Sequence, residues 1–327
     1  MRMRSSFVSR RSTSSSASKV LGFSLALSLI TAPAVGLVSN ARAIAKSDAE
    51  KYEKLENLER ILVFDGSGIH TVGRLQLHVT NWGAFGSYPE DNWVTSEYPS
   101  AQWPANSGVE YLYIAGLWVG AKKNGIPVVS TAAFDFGEFM PSNDPIDKIY
   151  SAYEGMPGGA RLPNPADDDR DGLIDEDRLN GRDDDLDGLI DEDFVAIGKQ
   201  MFSCEFSDYD PKTTLINPEH TPLGLYVHQE SYQWEEERYS NFVGIEYEMK
   251  NMSADLIEEV YIGFMADGDV GPRVVDNRYE DDLTALYEGT VCARRGGREI
   301  AVRVSIAYFY DDDGDEGRTP GYFGVLF

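Results

Sequence analysis

The sequence predicts a mainly β chain: an antiparallel β-sandwich with a short N-terminal helix and an inserted acidic segment. Three observations carry that prediction. Apolar and polar residues alternate with period two through many runs after about residue 61. Clusters of Gly, Pro, Asn and Asp separate the runs, and no long periodic helix comes between them. Amid those runs an eleven-residue acidic motif occurs twice, as DDDRDGLIDED at 167–177 and DDDLDGLIDED at 183–193.

The N-terminus reads as an export signal. A basic, Ser-rich start (MRMRSSFVSRRSTSSSASK) leads into the apolar VLGFSLALSLITAPAVGLV and then into ARA at Ala41–Ala43, a small-x-small cleavage site. The apolar run approaches spanning length, but Pro33 and Gly36 interrupt it, so 1–43 is expected to be removed and the mature chain to hold no membrane span. The destination is then the extracellular space, the cell surface or the periplasm. Over 44–60 a short helix is expected: Ser47 and Glu50 form a capping box, with Leu55, Leu58 and Leu62 on one face.

The strands fall into two sets, 61–139 and 195–327. In GRLQLHVTN, Leu75, Leu77 and Val79 alternate with polar neighbours, whereas EYLYIAGLWVGAK and IPVVSTAAF are continuously apolar, as buried central strands are. FVGIEYEMKN alternates again, and with EEVYIGFMADGDVG it reads as two neighbouring strands of one sheet. Trp118 and Trp234 lie in strand-like runs and are assigned to the core. The chain stops on the strand-like GYFGVLF, as a fragment of a longer protein would. Cys204 and Cys292 are expected either to form one disulfide closing a long loop or to be two buried free thiols.

Between 140 and 194 a Pro/Gly-rich lead-in runs into the acidic motifs, an insertion rather than a domain with its own core. The net charge is -26, which argues against nucleic acid or anionic membrane as a partner. That charge is concentrated: residues 167–193 hold fourteen acids against Arg170, Arg178 and Arg182. So dense a run of one sign calls for a multivalent cation.

The motif's order suits calcium. With Asp167 at position 1, Asp169, Asp171 and Asp175 fall at positions 3, 5 and 9, Gly172 permits a sharp turn at 6, and Leu173 offers a carbonyl at 7. The second copy places Asp183, Asp185, Asp187, Gly188, Leu189 and Asp191 at the same positions. An all-oxygen set of this kind matches a hard divalent ion and not Zn²⁺ or Cu²⁺. Position 12, where a helical calcium hand has a bidentate Glu, holds Arg178 and Phe194, so Glu176, Asp177, Glu192 and Asp193 at 10 and 11 are the substitutes. Ile174 and Ile190 are expected to pack together. The loops resemble thrombospondin type 3 repeats, although that pattern places its last Asp one residue later. Two further acidic stretches, DDDGDEG at 311–317 and DGDVG at 267–271, lack the spacing; the former is expected to be a solvated hairpin loop.

No residue pattern selects a catalytic centre. His70, His78, His220 and His228 form no HExxH and are read as surface or strand residues, and Ser67 near His70 is not in a nucleophile elbow. A secreted hydrolase with an acid pair is the weakest reading. A glycan-binding face is a stronger alternative: Trp82, Trp93 and Trp103, with Tyr88 and Tyr98, lie in one polar loop-like stretch, although the same rings suit the ends of a sandwich core.

Three stretches, VGRLQLHVTNWGAFGS, EYLYIAGLWVGAKKNG and FVGIEYEMKNMSADLIEEVYIGFMADGDVG, together with the Asp-rich inserts, resemble segments of large secreted β-rich proteins of Gram-negative bacteria. That resemblance implies an exported protein without an assigned activity and supplies no catalytic residue. The expectation is therefore an exported, calcium-binding β-sandwich of structural or adhesive type, whose partners are calcium ions and a glycan or another surface protein.

Overall fold

The computed structural model describes residues 66–86, 99–133, 137–156, 159–161, 177–186, 188–192, 194–275, 278–314 and 318–326. The helix expected over 44–60 lies outside them. The described residues are mainly β and, apart from one short parallel pair, their sheets are antiparallel.

The larger sheet has nine strands: β1 (Ser67–His70), β2 (Gln76–Thr80), β3 (Ala84–Gly86), β4 (Ala101–Gln102), β5 (Val109–Glu110), β6 (Ile114–Lys123), β7 (Ile126–Thr131), β14 (Ile257–Asp267) and β15 (Gly271–Pro272). Its spine is β6, paired to β14 along one edge and to β3 and β7 in succession along the other. A smaller sheet runs β13 (Gly244–Asn251), β12 (Leu225–Gln233), β11 (Gln200–Ser207), β8 (Tyr150–Ala152).

The two sheets meet face to face, because alternation puts one apolar row of each inward. Leu117, Val119 and Ala121 of β6 share a buried cluster with Cys204 and Phe206 of β11 and Val227 of β12. Leu77, Val79 and Phe85 share another with Phe202, and half-buried Ile245 and Tyr247 pack against it. Two polar side chains trapped between the sheets each make a bond there: His70 Nε2 lies 2.8 Å from Ser231 Oγ, and Gln229 Nε2 donates to the Thr80 carbonyl at 3.3 Å.

β13 and β14 are consecutive but not neighbours: β13 pairs β12 and β14 pairs β6, so they lie in different sheets. The link between them turns through Asn251, whose side chain accepts from Ser253 N–H at 2.9 Å and donates to the Asp255 carbonyl at 3.0 Å. This lets the apolar faces of the two strands look at each other across the core, where a hairpin would have left them side by side. β7 is not central: its only partner among the described strands is β6, and Ile126 and Val129 are exposed. Trp118 is 40% exposed because it points to the outer face of the larger sheet, while Leu117 and Val119 point in. All four His are buried, three of them on strands. Both Cys are free, Cys204 buried and Cys292 exposed.

A helix, α1 (Pro211–Ile216), follows β11; Asp210 caps it by accepting from Lys212 N–H at 2.9 Å. Its buried Lys212 reaches the Pro141 carbonyl where the insertion begins. The strands β9 (Gly159–Arg161) and β10 (Phe194–Ala196) form the parallel pair within the insertion. Finally β16 (Asp282–Arg295), β17 (Arg298–Asp311) and β18 (Phe323–Leu326) make a separate three-stranded sheet, with Phe309 and Phe323 packed into the cluster around Leu77 and Phe202.

Candidate metal centre

β11 is buried on both faces, although its sequence QMFSCEFS alternates. Phe202, Cys204 and Phe206 face the larger sheet; Met201 and Glu205 face outward and are covered by the insertion. Ala152, Leu179, Phe194 and Ala196 pack on Met201 and Tyr232 there. The insertion is thus a third layer that borrows its apolar floor from the smaller sheet.

Polar contacts clamp it. Asn180 Nδ2 donates to Glu205 Oε1 at 3.0 Å, and Arg182 pairs with Asp147 and lies 3.7 Å from Glu205 Oε2. Arg178 reaches Glu248 Oε1 at 2.7 Å. Behind Glu205, His228 Nδ1 sits at 3.5 Å and its Nε2 lies 3.2 Å from Glu230. Burial alone would raise the Glu205 pKa, but hydrogen bonds from His228, Tyr226 and Asn180 outweigh it and hold the carboxyl at about 2. Burial would lower His228; its bonds to Glu205 and Glu230 outweigh that and raise it to about 9. The pair is ionised at neutral pH.

On this clamp the second acidic motif folds into a closed loop. Gly188, with φ +105°, donates its N–H to Asp183 Oδ2 at 3.1 Å, so the residue at position 6 closes onto the carboxylate at position 1. Asp177, buried, reaches across from the end of the first motif: its two oxygens accept from Asp184 N–H at 3.0 Å and Asp191 N–H at 3.1 Å. Asp191 Oδ1 accepts from Asn180 N–H and Gly181 N–H, both at 2.7 Å. The result brings carboxylate oxygens of Asp177, Asp185 and Glu192 within 4.8 Å of one another. Burial, and after it the charges of Asp184 and Asp185, raises the Asp177 pKa against the pull of its two backbone donors.

Of the ligands predicted for this copy, Asp185 joins that group. Asp183 closes the loop with one oxygen and keeps its Oδ1 buried without a hydrogen-bond partner. Asp191 is engaged by the backbone, and the Leu189 side chain is exposed. Asp167, Asp169, Asp171, Leu173 and Asp175 of the first copy, and Asp187 of the second, lie outside the described residues. Ile190 is exposed; Ile174 also lies outside. Asp177 and Glu192 occupy positions 11 and 10, so the signal that could find them was the missing position-12 acid. The donors are all oxygen, which fits calcium and not a soft metal.

A second acidic group, Asp281, Asp311 and Asp313, sits where β16 and β17 begin and end. Asp311 is buried and used structurally: it accepts from Asp313 N–H at 3.1 Å, from Gly314 N–H and, through Oδ2, from Thr319 Oγ1 at 2.9 Å. Nearby, burial and then the charges of Asp269, Asp311 and Asp281 raise Asp282 to about 6.

The aromatic stretch divides. Trp82 is buried, and Trp103 packs on the cluster around Leu77 and Phe202 with its indole N–H donating to Asn241 Oδ1 at 2.9 Å and Arg74 over its ring. Trp93, Tyr88 and Tyr98 lie outside the described residues. Comparison of the chain with protein families, with characterised proteins and with solved structures gives no match.

Proposed function

We propose that the chain is an exported, calcium-binding β-sandwich protein of structural or adhesive type, in which the ion rigidifies the acidic insertion. The observation that carries this reading is the convergence of carboxylate oxygens of Asp177, Asp185 and Glu192 within 4.8 Å of one another. Three carboxylates held that close repel one another, and a cation seated among them relieves that repulsion. In this reading the second-copy site uses those three with Asp183, and the first copy supplies a second site through Asp167, Asp169, Asp171 and Asp175. Export follows from the N-terminal segment.

A calorimetric calcium titration after chelation, with melting followed in parallel, tests it. Saturable binding near two ions, with Kd in the ~10⁻⁴–10⁻³ M range of extracellular modules, is expected. No heat and no melting shift at several millimolar calcium would sink it.

Glycan binding is a second reading, moved from the Trp82–Trp103 stretch to the outer face of the larger sheet. There Trp118 and Tyr261, 40% and 72% exposed, lie diagonally across β6 and β14. Gly120 and Gly263 opposite them leave the ring faces open for stacking on a sugar. Loss of glycan-array signal in Trp118→Ala, against retention in Trp103→Ala, is the expected result; an empty array removes this reading.

A further inference from the structure

Most of the three-stranded sheet β16–β17–β18 is open to solvent on both faces, and one of those faces is apolar. Along β17, Ile300, Val302, Val304, Ile306, Tyr308 and Tyr310 share one face by alternation. Register adds Leu283, Tyr287 and Val291 from β16 and Leu326 from β18 to the same face. Tyr322 joins them, its ring centroid 5.7 Å from Tyr308 and 5.1 Å from Tyr310. Tyr322 is 68% exposed, Leu326 57% and Tyr287 48%. The opposite face carries Glu288, Arg303, Ser305 and Thr290, and meets the core through Phe309 and Phe323 at its base.

We propose that this face is the docking surface for a second copy of the chain, the two sheets packing face to face about a two-fold axis. Area is the first argument. At roughly 150–250 Å² for a complete aromatic side chain, the face offers on the order of 600–800 Å² of apolar surface, close to the about 800 Å² per partner of a standard interface. That exceeds the ~300–600 Å² of the largest patch on an ordinary monomer.

Charge is the second argument. Between its ends the face bears no charged side chain, whereas the chain as a whole carries -26. Its ends are opposite in sign. The tip turns at Gly296-Gly297 beside exposed Arg298, and the base ends on exposed Asp281, Asp312 and Asp313. A two-fold axis lying in the interface and crossing the strands at right angles sets each basic tip over the partner's acidic base.

Light scattering on the purified chain over a dilution series tests the proposal, with Val302→Lys at the centre of the face and Ser305→Lys on the opposite face. A dimer mass for the parent and for Ser305→Lys, and half that mass for Val302→Lys, is the expected result. Tyr322→Lys, at the most exposed position, repeats the test where Val302→Lys disturbs folding. A monomeric parent overturns the proposal, and so does a Val302→Lys chain that folds and remains dimeric. Arg298→Glu should shift dissociation to higher concentration; an unchanged midpoint overturns the antiparallel orientation.

Discussion

Glu205 and His228 stand opposite each other on β11 and β12, and their charges hold the insertion in place. The folded pKa of His228 is raised from 6.5 to about 9, so its contribution to stability is complete below 6.5 and is lost as pH rises through 9. Glu205 is lowered from 4.5 to about 2, so its contribution is complete above 4.5 and is lost as pH falls through 2. Both are whole only between about 4.5 and 6.5. Melting temperature should therefore fall between pH 6.5 and 9, and His228→Gln should flatten that slope; an equal slope in the variant would refute the assignment. At the acidic group, Asp185→Asn should keep the calcium-free melting temperature or raise it slightly, since it removes one of three converging charges, and should abolish most of the calcium-induced shift. Little of this was visible beforehand. A His in a polar sequence reads as surface, and nothing in the spacing of 205, 228 and 230 shows that register will place them together under a cover supplied from residue 180.

Among the elements, the β6–β7 hairpin shows how local chemistry sets register. Asn124 and Gly125 sit at φ +51° and +83°, the two left-handed positions of the turn whose twist matches paired strands. No atom lies within 4 Å of a side chain built on Gly125, so Gly125→Ala should cost only the strain of a Cβ in the left-handed region, about 1 kcal/mol in chemical denaturation. A loss several-fold larger would mean that the turn also carries a tertiary contact. This turn, and the strands around it, were legible because period two and turn residues are encoded within a few neighbours. Pairing was not. Alternation says which side chains share a face and is silent about the neighbouring strand, which is why β13 and β14 read as partners and proved to be opposed. Continuous apolar runs carry even less: IAGLWVGAKK does not say that Trp118 points outward while Leu117 and Val119 point in.

For the molecule as a whole, the proposed calcium sites would link stability to calcium through the insertion. An ion bound only by the folded loops adds about 1.4 kcal/mol per site at ten times its Kd. The expected signature is a melting temperature that climbs with the logarithm of calcium concentration and returns on chelation, and a chelated sample that melts no earlier would count against any linkage. The sequence located the acidic motif but not its setting, because the covering layer depends on Met201 and Tyr232 facing outward from two strands, β11 and β12, that the chain forms only after the motifs. That setting also has a bearing on length. The insertion leaves and rejoins the sandwich on one strand: Met140 bridges Ser207 at one end of β11, β8 pairs with Ser203–Met201, and Gln200 starts the strand at the other end. The path between these moorings is a closed excursion, so its contour is decoupled from the register of both sheets. A sixteen-residue unit, the interval between the two motifs, can be added ahead of Asp167 without moving either mooring. The number of acidic repeats can grow by duplication ahead of the clamp while the sandwich beneath keeps its shape, so repeat number, rather than strand sequence, is the quantity in which close homologues should differ most.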